Sequence, residues 1–170
     1  MTIRKESSKD IDAIHRLNEQ AFGQSQEADI VDKLRNHCRE ILSLVALQED
    51  KIVGHILFSP AAIEGNHGII KGMGLAPMAV IPEHQRQGIG SALVREGIQI
   101  LKESECAFII VLGHPEYYPR FGFKPASRYG IKSQWDGVPD DVFMISWLNE
   151  SAAKGVSGVA KYREEFNDTM

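Results

Sequence analysis

Apolar positions change their spacing several times along the chain, and each change marks a different element. Between Ser7 and Phe22, Ile11, Ile14, Leu17 and Ala21 recur at helical intervals, which predicts an amphipathic helix. Ser7 with Asp10 resembles a capping box, with Asp in place of the better Glu. Gly23 then stands where a helix stop belongs. A second helix is predicted from after Ser25 to about Cys38, with Ile30, Val31 and Leu34 as its buried stripe. Glu27 falls in its first turn, where negative charge suits the helix dipole.

Strand-like runs follow. Ser43 to Leu47 and Ile52 to Ser59 flank the polar turn Glu49-Asp50-Lys51 and read as a hairpin. Glu64-Gly65-Asn66-His67-Gly68 marks another turn. Leu75 to Ile81 reads as the next strand, broken by Pro77, since a proline inside such a run marks a bulge or an unpaired edge. Gly88 to about Glu103 is predicted helical, with Ile89, Leu93, Ile98 and Leu101 on one face. Phe108-Ile109-Ile110-Val111-Leu112 is a continuous apolar run of strand length, as for a strand covered on both faces. A short helical turn is expected over Glu116 to Phe121, a final strand over Asp141 to Leu148, and an irregular tail after Glu150. Hairpins followed by a strand-helix-strand unit predict an α+β, or mixed α/β, layer fold.

Composition narrows the function classes. The 170 residues suffice for one domain and one core, and 43% hydrophobic with 25% charged residues argues against wholesale disorder. A net charge of -4 with no dense Lys/Arg block disfavours nucleic acid as a partner. No apolar run reaches the roughly 20 residues of a membrane helix, and the first residues lack the apolar stretch of a signal peptide. Cys38 and Cys106 stand far apart, outside any CxxC pair, so no redox motif or metal site is expected. His55 and His67 have no metal-ligand spacing with Cys or acidic partners either. A cytoplasmic protein without a metal is the expectation.

One stretch carries candidate chemistry. In Met78-Ala79-Val80-Ile81-Pro82-Glu83-His84-Gln85-Arg86-Gln87-Gly88-Ile89-Gly90-Ser91 a strand passes through a polar loop into a helix start. The first turn of a helix offers unpaired N–H groups and a positive dipole end, which together bind phosphate. Gly88 and Gly90 carry no side chain and let a pyrophosphate approach the backbone. Gln85, Arg86 and Ser91 are candidate side-chain donors. A glycine-containing loop that merely starts a helix is the plainer alternative. The loop lacks the Lys-Ser/Thr of a P-loop and the three glycines of a dinucleotide fingerprint.

Gln85-Arg86-Gln87-Gly88-Ile89-Gly90 resembles the coenzyme A pyrophosphate loop of the GNAT N-acetyltransferase superfamily, Gln/Arg-x-x-Gly-x-Gly/Ala, at every defined position. Tyr117-Tyr118-Pro119-Arg120-Phe121-Gly122-Phe123 is similar to a second signature of that superfamily, aromatic-Tyr-x-x-x-Gly-Phe. Segments Gly113 to Tyr118, Trp135 to Pro139 and Glu27 to Arg35 resemble a bacterial subgroup of acetyltransferases. The resemblance covers roughly Met1 to Leu148. It implies an acetyltransferase domain over residues 1–150, with 151–170 as an extension of that domain. Its fold would be a central mixed, mostly antiparallel sheet with splayed parallel strands and helices on both faces.

The same resemblance implies roles. The pantetheine arm of acetyl-CoA would add to the sheet edge along the backbone of Met78, Ala79 and Val80. Residues Gln85, Arg86, Gln87, Gly88, Ile89, Gly90 and Ser91 would hold the pyrophosphate. A primary amine of a small molecule or peptide would attack the thioester directly in a ternary complex. An N–H near Met78 or Ala79 would face the oxyanion. Tyr118 matches the tyrosine that protonates the leaving thiolate, with packing against Tyr117 and Phe121 as the alternative. Glu27 and His114 are candidates at the acceptor end. Glu27 is equally a helix-start charge, and His114 a loop cap. A homodimer is common in the superfamily. A non-catalytic coenzyme A-binding module remains the alternative from another class.

Overall fold

The computed structural model describes residues 1–169, and the chain divides into two compact units. The first holds Met1–Ser59 with Ala76–Gln99, and the second Pro60–Leu75 with Ile100–Asp168. Nine strands are present among the described residues: β1 Thr2–Lys5, β2 Leu42–Gln48, β3 Lys51–Gly65, β4 Gly68–Val80, β5 Phe108–Leu112, β6 Lys124–Pro125, β7 Ile131–Ser133, β8 Phe143–Trp147 and β9 Gly158–Lys161. They hydrogen-bond in the order β1-β2-β3-β4-β5-β8-β6, with β9 on β3 and β7 on β9 off that path. β4–β5 and β7–β9 run parallel, whereas β1–β2, β2–β3, β3–β9, β5–β8 and β6–β8 run antiparallel. The mixed α/β architecture expected from the order of elements is the one observed.

In the first unit, helices α1 (Ile11–Phe22) and α2 (Gln26–His37) bury Ile14, Leu17, Ile30, Val31 and Leu34. The capping pair acts earlier than expected. Ser8–Asp10 forms a 3-10 turn ahead of α1, because the Asp10 carboxylate takes the Ser7 N–H at 2.7 Å and Arg4 at 2.7 Å. The hairpin lies where the pattern placed it. Gln48 pairs with Lys51 across Glu49 and Asp50, both at positive φ, the two-residue turn that matches strand twist. Within this unit, residues 89–99 of helix α3 (Ile89–Glu103) lie close against residues 51–59 of β3. A Cβ at Gly97 would come within 2.3 Å of the Phe58 ring, so only glycine allows that approach.

In the second unit, Phe108, Ile109, Ile110 and Val111 of β5 are at most 1% exposed, as the unbroken apolar run predicts. The strands on either side run differently from expectation. β4 begins at Gly68 rather than Leu75 and continues through Pro77. Gly72 and Gly74 do not break it: aromatic rings of Phe108 and Tyr162 lie over them, and an added Cβ would meet those rings at 2.6 and 2.4 Å. β8 is not the last strand. The tail after Glu150, expected to be irregular, forms a 3-10 turn at Glu150–Ala153, strand β9 and a 3-10 stretch at Glu164–Thr169; its last residue, Met170, lies outside the described residues. β9 is ordered by long-range pairing, antiparallel to Ala62–Gly65 and parallel to Ile131–Ser133.

Candidate functional site

The parallel ladder between β4 and β5 runs Met73↔Ile109, Gly74↔Ile110 and Leu75↔Val111. β4 itself continues for five more residues to Val80. Backbone beyond such a ladder has N–H and C=O groups that an added extended segment can use. Met78, Ala79 and Val80 lie in this stretch, with Ala79 buried and its neighbours half-buried.

In the first unit, β4 leads through a 3-10 turn at Pro82–His84 into the loop and α3. Ile81 donates to the Val53 carbonyl at 3.0 Å, which anchors the strand end on β3. The Gln85 side-chain amide donates to the Val80 carbonyl at 2.9 Å. That bond ties the loop to the strand, so this amide is occupied within the chain. Arg86 and Gly88 both adopt left-handed backbone, at φ 65° and 84°, and alternation of this kind turns successive N–H groups toward one concave side. An added Cβ at Gly88 would meet nothing within 4 Å; its left-handed φ, not crowding, favours glycine there. The first helical bond of α3 runs from Ala92 N–H to Gly88 C=O at 3.0 Å. The amides of Gly88, Ile89 and Gly90 therefore precede any i−4 carbonyl inside the helix, the arrangement that favours an anion. Ile89 is 2% exposed and pins the helix start, while Arg86, Gln87 and Gly88 are exposed.

In the second unit, β5 ends at Leu112 and the chain turns at His114, whose carbonyl accepts from Tyr117 at 3.1 Å and Tyr118 at 3.3 Å. Tyr118 is 7% exposed. Its ring packs edge-on against Tyr117 and Phe123, with centroids 5.0 and 5.7 Å away, and covers Gly113, where a Cβ would come within 2.2 Å of it. Burial raises the Tyr118 phenol above its ordinary pKa, with a smaller contribution from Tyr117. Among the described residues no hydrogen bond reaches its hydroxyl. The packing alternative is thus true of the ring without accounting for the hydroxyl. The His114 side chain is exposed and lines an open cavity of about 370 Å³ with Pro115, Glu116, Tyr117 and Arg120.

The chain as a whole is similar to known proteins. A family model described as "Acetyltransferase (GNAT) domain" matches residues 2–126. The chain belongs to the GNAT acetyltransferases. This acetyltransferase is 34% identical over 168 residues to the uncharacterized N-acetyltransferase YhbS of Escherichia coli K12, covering 98% of this chain and 99% of YhbS. A crystal structure of YhbS in complex with CoA superposes with a TM-score of 0.91, covering 98% of this chain and 91% of that one. A GNAT family acetyltransferase from Brucella melitensis, in complex with acetyl-CoA, is 32% identical with a TM-score of 0.78 and 97% coverage of both chains.

Elsewhere in this acetyltransferase, several polar groups serve the fold. Glu27 accepts from the Gln24 side chain at 3.0 and 3.1 Å at the start of α2, consistent with its helix-start reading. His55 is completely buried, with Ser43 Oγ at 2.8 Å and Asn18 Nδ2 at 3.3 Å. Ser43 in turn reaches Glu6, and Glu6 pairs with Arg35. Burial pushes the His55 pKa down to about 4 despite the Glu6 carboxylate. His15, Asp29 and Asp32 gather within 4.8 Å, but His15 pairs with Asp32 at 2.8 Å and Arg35 takes the other Asp32 oxygen at 2.9 Å. His67 faces the Gly155 carbonyl at 3.1 Å. Neither Cys38 nor Cys106 is in a disulfide. Among the described residues no helix is long and apolar enough to cross a membrane. Sequence reasoning missed Tyr162, which lies behind β4 in the second unit. The available signal was the alternation Val159-Ala160-Lys161-Tyr162, too short to be read as a strand by itself.

Proposed function

We propose that the chain moves an acetyl group from acetyl-CoA to a primary amine of a small molecule or peptide, by direct transfer in a ternary complex in the cytoplasm. The observation that carries this reading is the run of β4 past the end of its parallel ladder, through a left-handed loop and into the open first turn of α3. The CoA and acetyl-CoA complexes of the two related proteins support it. The pantetheine amides pair with the backbone of Met78, Ala79 and Val80. The pyrophosphate lies on the amides of the Gln85–Ser91 segment, with Arg86 adding charge. Residues 151–170 belong to the same domain, a reading supported by the pairing of β9 with β3.

The reaction forms an N–C bond and breaks a C–S bond. The neutral amine attacks the thioester carbonyl, whose oxygen gains charge opposite an N–H near Met78 or Ala79. Collapse of the tetrahedral adduct releases the thiolate, and the amine nitrogen gives its extra proton to water. Tyr118 supplies the proton to sulfur, and its phenolate regains a proton from water, so that the proton lost by nitrogen balances the one gained by the thiol. A cysteine-like thiol has an ordinary pKa of about 8.5, below the roughly 10 of a tyrosine phenol, and burial widens the gap for Tyr118. Full transfer to a relaxed thiolate is therefore uphill, and the phenol acts while charge builds on sulfur as the C–S bond breaks. Glu27 and His114 remain candidates for the acceptor side.

Isothermal titration with acetyl-CoA, coenzyme A and ATP tests the reading. Saturable binding of both coenzymes and none of ATP is expected, and no binding of either coenzyme removes it. Thiol release over an amine panel then separates an enzyme from a non-catalytic coenzyme A-binding module.

A further inference from the structure

Tyr162 comes from the tail, beyond the residues that match the family model. It is held from every side within the second unit. Its N–H donates to the Gln134 side chain at 2.6 Å. Its ring stacks on Trp135, 5.6 Å between centroids at 27°, and packs against Phe166 at 5.0 Å. The ring also fills the space that Gly74 leaves open, where a Cβ would come within 2.4 Å of it.

The hydroxyl tip of this clamped ring lies 3.2 Å from the Leu75 carbonyl and 3.3 Å from the Ile110 carbonyl. Leu75 belongs to β4 and Ile110 to β5, and both sit on the last two rungs of the parallel ladder. One phenolic proton is thus shared between acceptors on neighbouring strands. A strand carbonyl at that point normally takes an N–H from the facing strand. Here a side-chain hydroxyl joins the two strands at those rungs, reaching both carbonyls at once. The very next residue, Ala76, opens the stretch of β4 that continues past the ladder.

We propose that Tyr162 is a positioning residue for acetyl-CoA, its hydroxyl terminating the β4–β5 ladder at Leu75 and Ile110 so that the β4 backbone beyond stays available to the pantetheine arm. The proposal rests on the coenzyme site proposed above. Residue 162 acts through the backbone and does not touch the thioester.

The test uses the full chain with three replacements at one position. Tyr162→Phe removes only the hydroxyl. Replacement by 4-fluorophenylalanine restores its volume without a donor, and 4-aminophenylalanine restores a donor. Acetyl-CoA affinity is read by titration, and KM and kcat by thiol release. Loss of one shared hydrogen bond predicts a Kd and KM for acetyl-CoA raised about three- to ten-fold in the Phe and fluoro forms. The kcat should change less, and the amino form should recover the parent affinity. A purely structural role would lower thermal stability without this split and without recovery by the amino group. If the parent binds acetyl-CoA and the fluoro and amino forms bind it equally, the proposal is overturned while the coenzyme site stands. If the parent itself does not bind, both fall. Where the Phe form fails to fold, the two volume-matched replacements still decide between these outcomes.

Discussion

Tyr118 and Tyr162 are buried to the same degree, at 7% exposure each, and burial raises both phenols above their ordinary pKa. Their surroundings nevertheless differ. The Tyr162 hydroxyl is tied to two strand carbonyls and its backbone to Gln134. The Tyr118 ring is packed as tightly, yet no hydrogen bond from the described residues reaches its hydroxyl. A hydroxyl that no group of the described residues engages is open to a group from outside the chain. Burial and a raised pKa therefore do not by themselves distinguish a working phenol from a structural one; the hydroxyl's partner does.

The sharpest way to break this comparison is Tyr118→Phe. Loss of a general acid predicts turnover lower by about 10²-fold, with acetyl-CoA affinity and thermal midpoint close to the parent. Parent-like turnover under conditions where chemistry limits the rate would leave Tyr118 as a packing residue and erase the contrast with Tyr162. The next effect comes from outside the pair. Gly90→Glu places a carboxylate in the first turn of α3, where an anion is meant to sit, and should weaken acetyl-CoA binding at least about ten-fold. Unchanged affinity in a folded Gly90→Glu protein would place the pyrophosphate somewhere else.

Two glycines sharpen the comparison further. Gly113 backs the Tyr118 ring and Gly74 backs the Tyr162 ring, and in each case an added Cβ would lie within 2.4 Å of ring carbons. Each Gly→Ala change overpacks against a buried ring and should cost about 1–3 kcal/mol in urea unfolding. The functional consequences should divide, with Gly113→Ala lowering turnover and Gly74→Ala weakening acetyl-CoA binding. The same loss in both variants would mean the two rings do not have separate tasks.

The smallest effect is alkaline. Unfolded tyrosine loses its proton near about pH 10, whereas burial holds both phenols protonated to higher pH in the fold. Stability contributed in this way is complete below the unfolded value and declines as pH rises through it, toward the raised folded values. By about pH 10.5 the loss should be under about 1 kcal/mol per phenol. Urea midpoints measured between about pH 9 and 11 should fall less steeply in Tyr162→Phe than in the parent. An identical slope would mean that Tyr162 ionises in the fold as it does in water.

Much of the fold was legible because its signals are local. The Glu49-Asp50 hairpin, α2, the start of α3 after Gly88 and the unbroken apolar β5 each follow from a few neighbouring residues. β1, β6, β7 and β9 did not show, being two to four residues long and defined by distant partners. Gly72 and Gly74 concealed the first half of β4, because glycine reads locally as a breaker while its function here is to admit a ring. The candidate site divides the same way. The loop Gln85–Gly90 and the Tyr118 signature could be recognised from residue order. That the Gln85 amide bonds to the Val80 carbonyl, or that the Glu27 carboxylate faces Gln24, could not.

The sequence by itself determined the family, the order of the main elements and the loop that begins α3, because a motif and a hydrophobic period are properties of adjacent residues. Tertiary structure alone decided where the β4–β5 ladder stops and that the Tyr162 hydroxyl meets both of its strands. Tyr162, more than eighty positions from β4, brings one donor to two strand carbonyls on the last rungs of that ladder, and no local pattern encodes an interaction of that range.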